Sequence, residues 1–122
     1  MLSPSVLVVD DDEGTVETLS DILAAKRYRV ETALSGEAAV SLVRRSRYDA
    51  VLMDIVMPGV NGVEALRAIK TAAPGTNVIM MTAFTRHELV EQAKEGTALA
   101  VLPKPLDMDR LLALLERATR SR

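Results

Sequence analysis

A chain of 122 residues with 48% apolar and 26% charged residues has the length and composition of one globular domain with its own core. The lack of cysteine excludes disulfides and thiolate metal sites, and no run approaches the ~18 apolar residues of a membrane span. A formal net charge of −2 gives no bulk basic footprint for nucleic acid, and Met1-Leu2-Ser3-Pro4 lacks the charged start and long apolar stretch of a signal peptide. The expectation is a single domain over 1–122, cytoplasmic, with no direct nucleic-acid contact and no membrane partner. Only Phe84, Tyr28 and Tyr48 are aromatic, so the core must be built from Val, Leu, Ile, Ala and Met.

The first apolar run, Val6 to Val9, ends in Asp10-Asp11-Asp12. A helical pattern follows, with Val16, Leu19, Ile22 and Leu23 on one face. The second run, Val30 to Leu34, ends only at Ser35-Gly36, and Ala39, Val40, Leu42 and Val43 make the next helix. Ala50 to Met53 runs into Asp54. The turn residues Met57-Pro58-Gly59 and Asn61-Gly62 then lead to a helix on Val63, Leu66 and Ile69 that stops at Pro74-Gly75. Val78 to Met81 runs into Thr82. The fourth helix opens with Thr85, has Glu88 at capping-box spacing, carries Leu89, Val90 and Ala93, and stops at Gly96. Leu99 to Leu102 runs through Pro103 into Lys104-Pro105. The last helix opens at Asp107 and carries Leu111, Leu112, Leu114, Leu115 and Ala118.

Short apolar runs separated by helical patterns read as buried parallel strands, so the order predicts an α/β fold, (βα) repeated five times, doubly wound with helices on both faces. Ligands in such open sheets sit at the carboxyl ends of the strands. Acids, a hydroxyl and a lysine that are distant in sequence are therefore expected at one edge.

Three adjacent carboxylates at Asp10, Asp11 and Asp12 repel one another unless something compensates, and a turn that merely caps a helix needs one. A hard divalent cation suits them, since Mg²⁺ takes one or two carboxylates, backbone oxygen, waters and phosphate. Strand alternation sends Asp10 and Asp11 to different sides. Asp54 read alone is a helix or turn cap; beside a triple-acid turn and a lysine it reads as a nucleophile, because carboxylates attack phosphorus to give an aspartyl phosphate. Thr82 and Lys104 are each weak signals alone. Lys104, at the end of a buried run, would offset the acids and hold a phosphoryl oxygen as a point charge.

Val8-Val9-Asp10-Asp11, Met53-Asp54-Ile55-Val56-Met57-Pro58-Gly59, Thr82-Ala83 and Lys104-Pro105 occur in this order at the ends of four runs. In this the chain resembles the receiver domains of two-component response regulators, from Val6 to about Ala118. The resemblance implies a flavodoxin-like five-stranded sheet of order 2-1-3-4-5 and a phosphoryl group taken on Asp54 from a histidine kinase or phosphotransfer protein. It also implies Mg²⁺ bound directly by Asp11, Asp54 and the backbone carbonyl of Val56, and by Asp10 largely through water. Thr82 would bond the phosphoryl group and Lys104 would pair with it. A cis Lys104–Pro105 bond is implied as well. Asp12 lies outside the acid pair and reads as the cap of the first helix. The output would be the face built from the last two helices and the last strand, engaging an output domain or a second copy of the chain. The domain would act as a switch, not as an enzyme, beyond its part in its own phosphotransfer and slow dephosphorylation.

Three positions depart from the family pattern, in two ways. Receivers usually carry Tyr or Phe three residues before the lysine, where this chain has Val101. Val56 and Phe84, each two residues after a site residue, are apolar where some receivers carry amide or acidic groups near the attacking water. Two other readings compete with this one. A haloacid-dehalogenase-like phosphatase would use the D-x-D spacing of Asp10 and Asp12, but it wants acids after a later strand and a cap insertion. A pseudo-receiver that only binds normally loses acceptor or metal acids, which this chain keeps. The lone histidine, His87, reads as solvent-facing, and the methionines read as core filling.

Overall fold

A computed structural model describes residues 3–83, 87–95 and 97–120, apart from the side chains of His87, Glu88 and Leu89. Strands and helices alternate as expected: β1 (Ser5–Val9), α1 (Glu13–Ala25), β2 (Arg29–Ala33), α2 (Gly36–Arg45), β3 (Ala50–Asp54), α3 (Gly62–Ala72), β4 (Asn77–Thr82), α4 (His87–Glu95), β5 (Ala100–Pro103) and α5 (Met108–Arg120). All strand pairs are parallel, and the sheet order is β2-β1-β3-β4-β5.

Alternation along the central strands divides the core into two layers. Leu7, Val9, Val51, Met53, Val78 and Met80 face the side covered by α2 and α3, where Ala39, Val43, Leu66 and Ile69 meet them. Val6, Val8, Ala50, Leu52, Ile79 and Met81 face α1 and α5, against Leu19, Leu23, Leu111 and Leu115. Burial on both faces explains why these strands read as unbroken apolar runs.

The second run departs from expectation. Val30 to Leu34 is not a buried strand: β2 lies at the sheet edge, only Ala33 in it is buried, and Leu34 beyond it is 44% exposed. Glu31 and Thr32 interrupt the run and face solvent, which a strand with a single neighbour tolerates. At the opposite edge, Leu99 falls outside β5 and is 45% exposed. Pro103 ends β5 without an N–H to give, a residue that suits an edge.

Helix caps follow the sequence. The Asp12 carboxylate accepts from Thr15 N at 3.2 Å and opens α1, as expected, and Ser35 Oγ accepts from Ala38 N at 3.1 Å to open α2. Asn61 and Glu64 form a reciprocal capping box at the start of α3. Asp107 Oδ1 accepts from Arg110 N at 3.2 Å before α5. The expected capping pair of Thr85 and Glu88, the stop at Gly96 and the orientation of His87 lie outside the described residues. Helix α1 ends without glycine: Arg27 takes φ 73°, with Arg27 N donating to Ala24 O and Tyr28 N to Leu23 O. That is the left-handed helix end usually given to glycine.

Candidate functional site: an acidic cluster with one lysine

Strand alternation delivers the site. Asp10 follows Val6 and Val8, Asp54 follows Ala50 and Leu52, and Lys104 follows Leu102, all on the α1–α5 side of the sheet. Side chains one pleat further on emerge on that same side. The register pairs Val8 with Leu52 and Val9 with Met53, so Asp10 and Asp54 leave neighbouring strands level with each other. From β1 the chain goes on to β2, and from β3 to β4, in opposite directions across the sheet. The crevice between β1 and β3 is thus the topological switch point where doubly wound folds bind ligands.

Lys104 ties the two acids together. Its Nζ donates to Asp10 Oδ2 at 2.7 Å and to Asp54 Oδ2 at 3.0 Å. The second oxygens are held by backbone: Asp10 Oδ1 accepts from Asp12 N at 3.0 Å and Asp54 Oδ1 from Val56 N at 3.2 Å. Asp10 is 1% and Asp54 7% exposed. Burial pushes the Asp54 carboxyl above its ordinary range; hydrogen bonding to Lys104 opposes the rise and the charge of Asp10 adds to it. Burial alone would lower the Lys104 ammonium, but its bonds to Asp10 and Asp54 outweigh that and hold it above its ordinary value. Asp12 is engaged elsewhere. Its carboxyl is held below the usual range, chiefly by the Thr15 hydroxyl, consistent with a cap.

Asp10, Asp11 and Asp54 each present a carboxylate oxygen, and these oxygens lie within 4.8 Å of one another. Asp11 is exposed and Asp10 buried, as alternation predicts, yet both reach the cluster. Three carboxylates face one ammonium, so the cluster carries an excess of negative charge that a divalent cation would neutralise. The residues therefore fit a hard cation with oxygen ligands.

Thr82 ends β4 and is buried, and its carbonyl accepts from Lys104 N at 2.7 Å, which links the hydroxyl residue to the lysine. The Lys104–Pro105 bond is cis, as expected. Val101 pairs in register with Met80 and packs, half-buried, against the α2–α3 side of the core. Val56 is 37% exposed at the rim, and Phe84 lies outside the described residues. In the sequence Gly62 reads only as turn chemistry. Its amide donates to Ile55 O at 2.7 Å, and a Cβ on it would collide with the Asp54 carbonyl oxygen, a closeness for which the only sequence signal is Asn61-Gly62 itself.

The response regulator receiver domain family matches residues 6–116. The chain belongs to this family. It is a receiver domain of the two-component response regulators, a signalling domain, and the haloacid-dehalogenase-like reading is set aside. This receiver is 40% identical over 113 residues to the transcriptional regulatory protein ZraR of Salmonella typhimurium, an alignment covering 93% of this chain and 26% of that protein. It thus spans about a quarter of the length of that relative. It is 32% identical over 111 residues to sporulation initiation phosphotransferase F of Bacillus subtilis, covering 91% of this chain and 90% of that one. The response regulator protein TrrA from Thermotoga maritima, solved in complex with Mg(2+)-BeF, matches with a TM-score of 0.86 at 29% identity, covering 94% of this chain and 98% of that one. Among the described residues, no helix is long and apolar enough to cross a membrane.

Proposed function

We propose that this receiver takes a phosphoryl group on Asp54 from the phosphohistidine of a histidine kinase or phosphotransfer protein, with Mg²⁺ as its metal. Residues 1–122 act as one such domain, in the cytoplasm. The observation that carries the reading is the Lys104 ammonium bridging the buried Asp10 and Asp54 carboxylates, with Asp11 in reach.

Asp11, Asp54 and the Val56 carbonyl would hold the cation, with Asp10 acting largely through water. When bound, the ion screens the charge on the phosphoryl oxygens. One Asp54 oxygen attacks phosphorus, the phosphorus–nitrogen bond of the donor breaks, and the imidazole nitrogen keeps the electron pair and takes up a proton from solvent. Lys104 then releases Asp54 and pairs with a phosphoryl oxygen, and Thr82 donates its hydroxyl to another. Occupancy draws on the Thr82 end of β4 and biases the α4–β5–α5 face, where an output domain or a second copy would read the change. Val101 has no ring to flip, so the signal runs through the segment after Thr82 and through α4. Beryllofluoride with Mg²⁺ should shift NMR resonances of Val90 to Ala93; shifts confined to the site residues would contradict this route.

Acetyl phosphate with Mg²⁺ should add one phosphoryl group, seen by intact mass, and Asp54→Asn should abolish it. Labelling that survives in the variant would place the acceptor elsewhere, and turnover of generic phosphoesters would point to a phosphatase.

The phosphorylated form should be long-lived, with slow self-dephosphorylation. Hydrolysis needs a water in line behind phosphorus, and positioning is most of the catalysis in phosphoryl transfer. Val56 and Phe84 offer that water no hydrogen bond. Combining Val56→Asn with Phe84→Glu should speed phosphoryl loss by about ten-fold, equivalent to ~1.4 kcal/mol of barrier. Loss within seconds in the parent protein, or no acceleration in the double variant, would refute it.

A further inference from the structure

The segment between β3 and α3 carries both the amide that orients Asp54 and the carbonyl offered to the metal. It is closed by a very short approach. Gly62 N donates to Ile55 O at 2.7 Å, while Ile55 N donates to Met81 O at 2.9 Å. Ile55 is thereby tied to β4 on one side and to the first turn of α3 on the other. A Cβ at position 62 would collide with the Asp54 carbonyl oxygen and stand 2.6 Å from Ile55 Cα and 2.9 Å from Met80 Cε. Two of these neighbours are backbone atoms, which have no rotamer to escape through. The requirement at Gly62 is space.

We propose that Gly62 is a positioning residue for phosphoryl acceptance: it lets α3 press on the peptide after Asp54 and so sets the geometry of both the acceptor and the metal's backbone ligand. The inference rests on Asp54 as acceptor and Val56 as metal ligand. With Ile55 clamped, the next amide, Val56 N, is aimed at Asp54 Oδ1 at 3.2 Å, which leaves Asp54 Oδ2 turned to Lys104 at 3.0 Å. Any side chain at 62 lifts α3 or tilts residues 54–56, and the Asp54 rotamer and the Val56 carbonyl then move together. The capping box of Asn61 and Glu64 holds the same turn from the other side, with Glu64 N donating to Asn61 Oδ1 at 2.9 Å.

A purely structural glycine would cost stability and nothing else, whereas a positioning glycine costs metal affinity and rate in molecules that remain folded. The test compares the parent chain with Gly62→Ala and with Leu23→Ala, which opens the core at the far end of α1, away from Asp12. Mg²⁺ is titrated without phosphodonor by amide NMR shifts, and phosphorylation is then followed with acetyl phosphate at saturating Mg²⁺. Gly62→Ala should raise the half-saturating Mg²⁺ concentration about ten-fold and slow phosphorylation about ten-fold or more. Leu23→Ala should unfold more readily yet keep both values within about two-fold of the parent. Parental values in Gly62→Ala, or equal losses in Leu23→Ala, would overturn the proposal. Should Gly62→Ala fail to fold, Asn61→Ala takes its place: Mg²⁺ binding weakened by about three-fold or more supports the proposal, and unchanged binding overturns it. A parent chain that binds no Mg²⁺ and is not labelled at Asp54 would instead refute the acceptor reading and this inference with it.

Discussion

Lys104→Met is expected to destabilise the metal-free receiver by about 2 kcal/mol at neutral pH and to slow phosphorylation of Asp54 by about 100-fold. Methionine keeps the apolar stem of the side chain and removes only the ammonium. What remains is Asp10 at 1% and Asp54 at 7% exposure, each having lost a charge-assisted bond. Removing one partner of a buried pair costs roughly 3–5 kcal/mol. The figure here is lower because the Lys104 side chain is itself 23% exposed and partly screened by water. Protonation limits the loss further. The Asp54 carboxyl is already raised by burial, and without Lys104 opposing it the shift grows. A carboxyl whose folded-state value lies above its unfolded one destabilises the fold at neutral pH and is relieved as pH falls through the folded value. The gap between parent and variant should therefore narrow as pH is lowered toward about 4 in metal-free buffer. Denaturant unfolding at several pH values checks the sign: a constant gap would mean that Lys104 acts by packing, and equal stability at neutral pH would dissolve the charge argument. A phosphorylation rate unchanged in the variant would remove Lys104 from the site chemistry.

The meeting of Asp10, Asp54 and Lys104 is legible in outline in the sequence because the three obey one rule. Asp10, Asp54 and Lys104 all lie one pleat beyond residues that face α1 and α5, and a period of two carries through the strand end. The Asp12 cap was equally local, since it needs only an acid three residues before the amide it accepts. What escaped was tertiary. Glu31 and Thr32 break the Val30 to Leu34 run where the central runs are unbroken, but the edge place of β2 that leaves them exposed is set by the sheet order. Arg27 at φ 73° gives no glycine signal, and its helix end is recognisable only from the bonds of residues 27 and 28. The contact of Gly62 with Asp54 and Ile55 depends on where α3 lands, which Asn61-Gly62 announces as a turn without giving its depth. Tyr48, an aromatic assigned no role, donates its hydroxyl to Glu31 on the edge strand at 3.0 Å, again a contact set by topology.

Mg²⁺ is expected to stabilise this receiver, and Asp11→Ala to remove most of that response. The cluster places three carboxylates within 4.8 Å with one ammonium among them, so the native arrangement carries repulsion that the unfolded chain does not. A cation that binds only the native cluster adds RT ln(1 + [L]/Kd), about 2.7 kcal/mol at 100 times its dissociation constant. For a domain of this length that corresponds to a rise in melting temperature of roughly 10 °C. Asp11 separates this binding from folding, because it is exposed while Asp10 and Asp54 hold the buried bridge through Lys104. Asp11→Ala should thus leave the metal-free melting temperature close to the parent's, or slightly above it as repulsion falls, while flattening the dependence on Mg²⁺. Sodium chloride at matched ionic strength controls for plain screening, which acts on surface charges within a Debye length and needs no site. Thermal unfolding of both proteins in chelator, in Mg²⁺ and in the matched salt decides the point. A parent response reproduced by sodium, or an Asp11→Ala response equal to the parent's, would leave the acidic cluster without its metal and return Asp11 to the role of a solvated turn residue.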